Sequence, residues 1–171
     1  MNLLLISLIT QLNLYFLKDS PNLLVRIKVE NYVQQIILYY SFGDAKWDSV
    51  IAQSYTTHFD AVIAAPDTIN AIGFYFLSDG KLNNNNGNLY LFEVKKSPRM
   101  ILPLSIDYLE TMLTQARKKI KSQIHTDEGI ALLEYLEKTL KMIPYLKGSE
   151  LDTRINLLMS EVKELKALVT R

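Results

Sequence analysis

The sequence predicts an α/β fold: a mixed central sheet flanked by helices, with a helical appendage at the C-terminus. Three observations predict it. Residues 47–95 carry short apolar runs parted by turn residues, the segments on either side repeat their apolar residues at helical spacing, and residues 151–169 form a heptad pattern. At 171 residues, 49% hydrophobic and 22% charged, the chain has the size and composition of one soluble domain, or of one domain with an appendage. It has no Cys, which excludes a disulfide scaffold and a thiolate metal site. His58 and His125 are its two histidines, far apart in sequence, and they offer little to a zinc centre. The net charge of +1 advertises no global attraction to nucleic acid, so such a partner must be sought in local patches.

The elements follow in order. "MNLLLISLITQLNLYFL" reads as an apolar N-terminal helix over 1–19, with a polar stripe at Ser7, Gln11 and Lys18. It is shorter than the roughly 20 residues of a spanning helix and lacks a basic start and a small-residue cleavage pattern, so no membrane segment is expected and an intracellular, cytoplasmic setting is. Residues 20–43 read as a long helix. Ser20 is the N-cap, Pro21 the first turn and Gly43 the stop, while Val25, Val29, Val33, Ile36 and Tyr40 recur on one face. Strands are expected at "DSVIAQSYTT", "FDAVIAA", "AIGFYFLS" and "NLYLFEVKK", with "NNNNGN" as a loop. Leu109, Met112, Leu113, Ala116, Ile120 and Ile124 then mark one helix, and a second covers about 128–143. Leu151, Ile155, Leu158, Val162, Leu165 and Val169 form a seam whose β-branched a and Leu d positions suit a parallel two-stranded coil, so a homodimer through 151–169 is expected. An amphipathic helix packed on its own domain is the alternative, which Leu157 and Leu168 outside the seam support.

The chemistry gathers on "NLYLFEVKK". Positions two apart on a strand share a face, so Leu89, Leu91, Glu93 and Lys95 point one way and a carboxylate and an amine end an apolar stripe. Charge beside apolar surface is costly unless paired, solvated or bound to metal. The other E-x-K triplets, at Glu161 and Glu164, sit in the C-terminal helix as solvated faces. Asp60 lies in another apolar strand, and Glu30 on the helix before it.

The order Glu30, then Asp60 in an apolar strand, then Glu93-x-Lys95 resembles the PD-(D/E)xK nucleases over about residues 25–125. That resemblance implies a restriction-endonuclease-like domain over 1–147, followed by the helix 148–171. It implies Mg²⁺, or Mn²⁺ in its place, at Asp60 and Glu93 with Val94 in the metal set, and Lys95 positioning the attacking water. Glu30 and Gln115, the latter in "LTQARKK", would assist. The literal "PD" is Pro66-Asp67. Asp60 is preferred because Asp67 after proline reads as a turn.

The implied reaction is hydrolysis of DNA, or RNA, phosphodiester bonds. A hard cation neutralises phosphate charge and lowers the pKa of water, and Mg²⁺ takes one or two carboxylates alongside water and phosphate oxygens. Between residues 95 and 121, Lys95, Lys96, Arg99, Arg117, Lys118, Lys119 and Lys121 outnumber Asp107 and Glu110, leaving net plus five for phosphate contact. The rival readings are a noncatalytic nucleic-acid-binding dimer of the same fold and a coiled-coil assembly protein. Trp47 is left as either a packing or a base-stacking residue.

Overall fold

The computed structural model describes residues 9–18, 20–43, 46–66, 68–96 and 99–169. Among them the chain is an α/β protein of two antiparallel sheets and three helices, arranged as three layers. The first sheet runs β1 (Ile9–Phe16), β2 (Asn22–Val29), β6 (Phe59–Ala64) and β5 (Gln53–Ser54). The second runs β10 (Arg99–Leu104), β9 (Tyr90–Lys96), β7 (Ala71–Ser78), β3 (Ile36–Ser41) and β4 (Asp48–Ile51), with β8 (Lys81–Asn83) on β7. Each described ladder is antiparallel, so the mixed central sheet expected from the sequence is not what these residues form.

The long helix expected over 20–43 is instead β2, a crossing loop and β3. Leu23, Val25 and Ile27 are fully buried and alternate with Leu24, Arg26 and Lys28, which is strand periodicity. A spacing of four is both one helical turn and two strand repeats, so Val25, Val29 and Val33 fit either period. Ser20 and Pro21 make a hairpin turn rather than a helix start: the Asn22 amide donates to Ser20 Oγ at 3.1 Å and the Leu17 amide to the Asn22 carbonyl at 3.0 Å. The expected N-terminal helix is likewise β1 from Ile9 onward. Ser7 lies outside the described residues, as does Asp67.

Two cores lie back to back across the second sheet. Leu23, Val25, Ile27, Phe59, Ala61 and Ile63 of the first sheet meet Ile36, Leu38, Ile72, Phe74, Phe76 and Val94 of the second. The other face of the second sheet, through Leu91, Leu104 and Tyr75, packs on α1 (Ile106–Ser122), α2 (Thr126–Leu140) and α3 (Glu150–Val169). Pro103 is accommodated because β10 is an edge strand. The turn after α2 lies directly on this sheet. A Cβ on Gly43, at φ +97°, would come within 2.3 Å of the Met142 carbonyl oxygen, and Pro144 sits 3.2 Å from where a Gly73 Cβ would be.

The heptad seam is spent inside the chain. Leu151, Ile155, Leu158, Val162 and Leu165 are all buried in the same cluster as Leu109, Leu133 and Leu136. These five residues of the seam on which the expected dimer through 151–169 rests are thus buried within the chain, and the coiled-coil-like tail is the third helix of the helical layer. Arg154 ties α3 to α1 through Asp107 and Glu110, and Lys166 ties it to Glu137 of α2 at 2.6 Å. Among the described residues no helix is long and apolar enough to cross a membrane.

Candidate functional site

Strand parity separates the residues that the sequence grouped. On β9, Phe92 and Val94 face the first sheet, so Glu93 points to the helical layer with Leu91, as expected from the alternation. On β6, Phe59, Ala61 and Ile63 face the second sheet, so Asp60 points outward with the exposed Val62. Both sheets lie between the two carboxylates, and stacked sheets are about 10 Å apart. A single Mg²⁺ with bonds near 2.1 Å cannot bridge them. Asp60 and Glu93 are not on adjacent strands, because β7 and β3 follow β9 in one sheet while β6 pairs with β2 and β5 in the other.

Asp60 already has its partner. Arg26 lies opposite it in the β2–β6 register and donates through Nε to Oδ1 at 2.9 Å and through Nη2 to Oδ2 at 2.8 Å. The hydrogen bonds from Arg26 hold the Asp60 carboxyl below its usual range, and His58 Nε2 stands 3.4 Å from Oδ2. This bidentate fork engages both carboxylate oxygens and sets a positive charge against them. Glu30 is not on a helix but exposed after β2, lining a shallow cleft with Tyr32, Tyr55 and His58. Gln115 is on α1 as expected, and exposed. Among the described residues no three His, Asp or Glu side chains gather as a metal site. The donor set expected for Mg²⁺ thus does not fit it.

Glu93 and Lys95 do come together, with the Lys95 ammonium 4.0 Å from Glu93 Oε2. They line a cleft of about 320 Å³ with Asn70, Val94, Tyr135, Lys138, Thr139 and Met142. The Tyr135 hydroxyl donates to Glu93 Oε2 at 3.3 Å. Burial, and then the charge of Glu93, raises the Tyr135 pKa, so the phenol stays a proton donor at neutral pH. Thr139 is buried behind it. Tyr135 and Lys138 carried no signal in the sequence, where α2 was only an apolar stripe. Their place beside Glu93 is set by α2 lying across the sheet, more than 40 residues away along the chain.

The basic stretch is divided. Lys119 pairs with Glu128 at 2.5 Å at the start of α2, whereas Lys95 lies by Lys138 and Thr139 near its end. Ten residues of helix put about 15 Å between these places. Arg117 pairs with Glu161 of α3, and Lys118 and Lys121 are exposed on α1. The side chains of Lys96 and Arg99 lie outside the described residues. Among the described side chains, Lys95 and the cations of α1 therefore do not share one surface.

No family model matches the chain, and no curated protein does. Among solved structures it is similar to a family 76 glycoside hydrolase from a bovine Bacteroides thetaiotaomicron strain, with a TM-score of 0.39 and 15% identity over 66% of this chain and 25% of that one. The chain thus spans about a quarter of that structure's length. A likeness of that size fixes neither fold nor function.

Proposed function

We propose that this chain binds a phosphate-bearing ligand in the Glu93–Lys95 cleft, and that it does so without a two-carboxylate cleavage reaction. A nucleic-acid strand is the form of ligand that the sequence resemblance favours. One observation carries the reading: Lys95 from a strand and Lys138 from a helix line the same cleft as Glu93 and Tyr135. Two ammonium groups against one carboxylate leave it net positive. Each ammonium offers three donors to phosphate oxygens. Glu93, oriented by the Tyr135 hydroxyl, is the acceptor for a ligand hydroxyl.

The test is anisotropy of a labelled single-stranded oligonucleotide across a salt series. Lys95→Ala and Lys138→Ala are each expected to weaken binding and to lower the log–log salt slope by about 0.7 for each ammonium removed from a phosphate. Lys118→Ala should do neither. Added Mg²⁺ is expected to leave the oligonucleotide intact. Binding untouched by both cleft substitutions would overturn the proposal. Mg²⁺-dependent cutting abolished by both Asp60→Asn and Glu93→Gln would restore the metal nuclease in its place.

A further inference from the structure

Trp47 precedes β4 and packs against the helical-layer face of the second sheet. Its ring lies 5.1 Å from that of Tyr75, which stacks on Tyr39 at 4.6 Å and 4° across the β3–β7 register. This backing fixes the indole, which is only partly buried. Beside it opens a cleft of about 550 Å³ lined by Trp47, Tyr145, Leu146, Lys147, Asp152 and Asn156. The volume is that of a small-molecule site. The segment after α2 borders both clefts, with Met142 at the Glu93 cleft and Tyr145 to Lys147 at this one.

The polar groups are organised around one amide. The Asp152 Oδ2 accepts the Gly148 amide at 2.8 Å, and its Oδ1 accepts Asn156 Nδ2 at 2.8 Å. That second bond uses one of the two Nδ2 protons of Asn156. One N–H and the Oδ1 remain, a donor and an acceptor of the kinds that adenine N7 and N6 call for. Lys147 is exposed and makes no ion pair among the described residues. It leaves a positive charge at the mouth.

We infer that this cleft binds an adenine nucleotide, with the base against the fixed Trp47 ring, its edge on the Asn156 amide and its phosphate on Lys147. A planar π-face is what an anchored indole recognises. A neutral sugar would leave Lys147 unused, and a free phosphate would leave the rings unused. The inference stands independently of the Glu93 cleft, although a nucleotide also carries phosphate, so the readout must be local.

Trp47 is the chain's single tryptophan and supplies that readout. Titrating the full chain with adenosine 5′-monophosphate is expected to quench Trp47 emission saturably, whereas ribose 5-phosphate should leave it unchanged. Asn156→Ala should weaken the nucleotide about tenfold, the equivalent of one good bidentate base contact. Lys147→Ala should weaken the monophosphate but not adenosine. Lys95→Ala and Lys138→Ala, which test the other cleft, should not alter the quench. Amide shifts at residues 145–148 and 156 on adding the monophosphate check the location in a second way. The inference is overturned by an emission that neither adenosine nor its monophosphate changes at millimolar concentration. Quenching that survives both Asn156→Ala and Lys147→Ala, or an equal response to ribose 5-phosphate, overturns it as well.

Discussion

Asp60 holds a negative charge on the outer face of a sheet, and Arg26 directly across the ladder decides what that charge is for. The fork between them is a cross-strand ion pair with Arg26 about one-third exposed, so solvent screening keeps its worth modest. Asp60→Asn is expected to cost about 1 kcal/mol, to lower Tm by a few degrees and to leave oligonucleotide affinity unchanged. Thermal melts and anisotropy on the same sample check both. Glu137 presents a second case. Hydrogen bonds from Lys141 and then Lys166 lower its carboxyl from 4.5 to about 2. Because the folded pKa is the lower one, the stability it lends is complete above about pH 4.5 and is lost as pH falls toward 2. Glu137→Gln should therefore make unfolding less steeply dependent on pH across that window, as read by circular dichroism. An unchanged acid limb would show that neither the Lys141 nor the Lys166 bond to Glu137 forms in solution.

At the scale of elements, the sequence was legible where local pattern and tertiary environment agree. The three helices stand close to their expected places, although α1 ends at Ser122 and leaves Ile124 exposed beyond it. The four strands expected between residues 48 and 96 are present, with the first divided into β4 and β5. Glu93 and Lys95 share a face because alternation is a local property. Residues 20–43 misled because a four-residue spacing belongs to both periods, and a serine followed by proline serves a hairpin as well as a helix start. That error concealed Arg26: on a strand it faces Asp60, whereas on a helix it has no such neighbour. The seam of α3 was legible as a buried stripe, but the sequence does not say whose side chains bury it. Leu158→Ala should destabilise the chain by about 2–4 kcal/mol in urea unfolding, and light scattering should give the same mass before and after. A halving of mass on substitution would return the seam to a dimer. Gly43→Ala tests the turn after α2, since the new methyl meets a backbone carbonyl at 2.3 Å at a positive φ. A loss of more than about 1 kcal/mol is expected by the same measurement.

For the whole molecule, layering is the fact that governs function. A sandwich buries one face of each sheet against the other, with Tyr15 and Val62 exposed on the first sheet's outer face and the helices on the second sheet's far face. Acids on β6 and β9 are therefore sent in opposite directions by parity alone, however close the spacing of their motifs makes them look. The clefts form where the segment after α2 meets the second sheet, joining residues from 47 to 156 that no local motif connects. This is why half of the candidate site, Glu93 and Lys95, was readable and the other half, Tyr135 and Lys138, was not.

The separation of the two acids is directly measurable, because a chain without Cys accepts a pair of spin labels cleanly. Val62→Cys shares the outward face of Asp60, and Lys95→Cys shares the face of Glu93. Dipolar electron spin resonance on the doubly labelled chain should report a distance on the order of 20 Å or more, the ~10 Å between sheets plus side chains pointing apart. Strong coupling at about 10 Å or less would contradict the layered arrangement and return both carboxylates to one site.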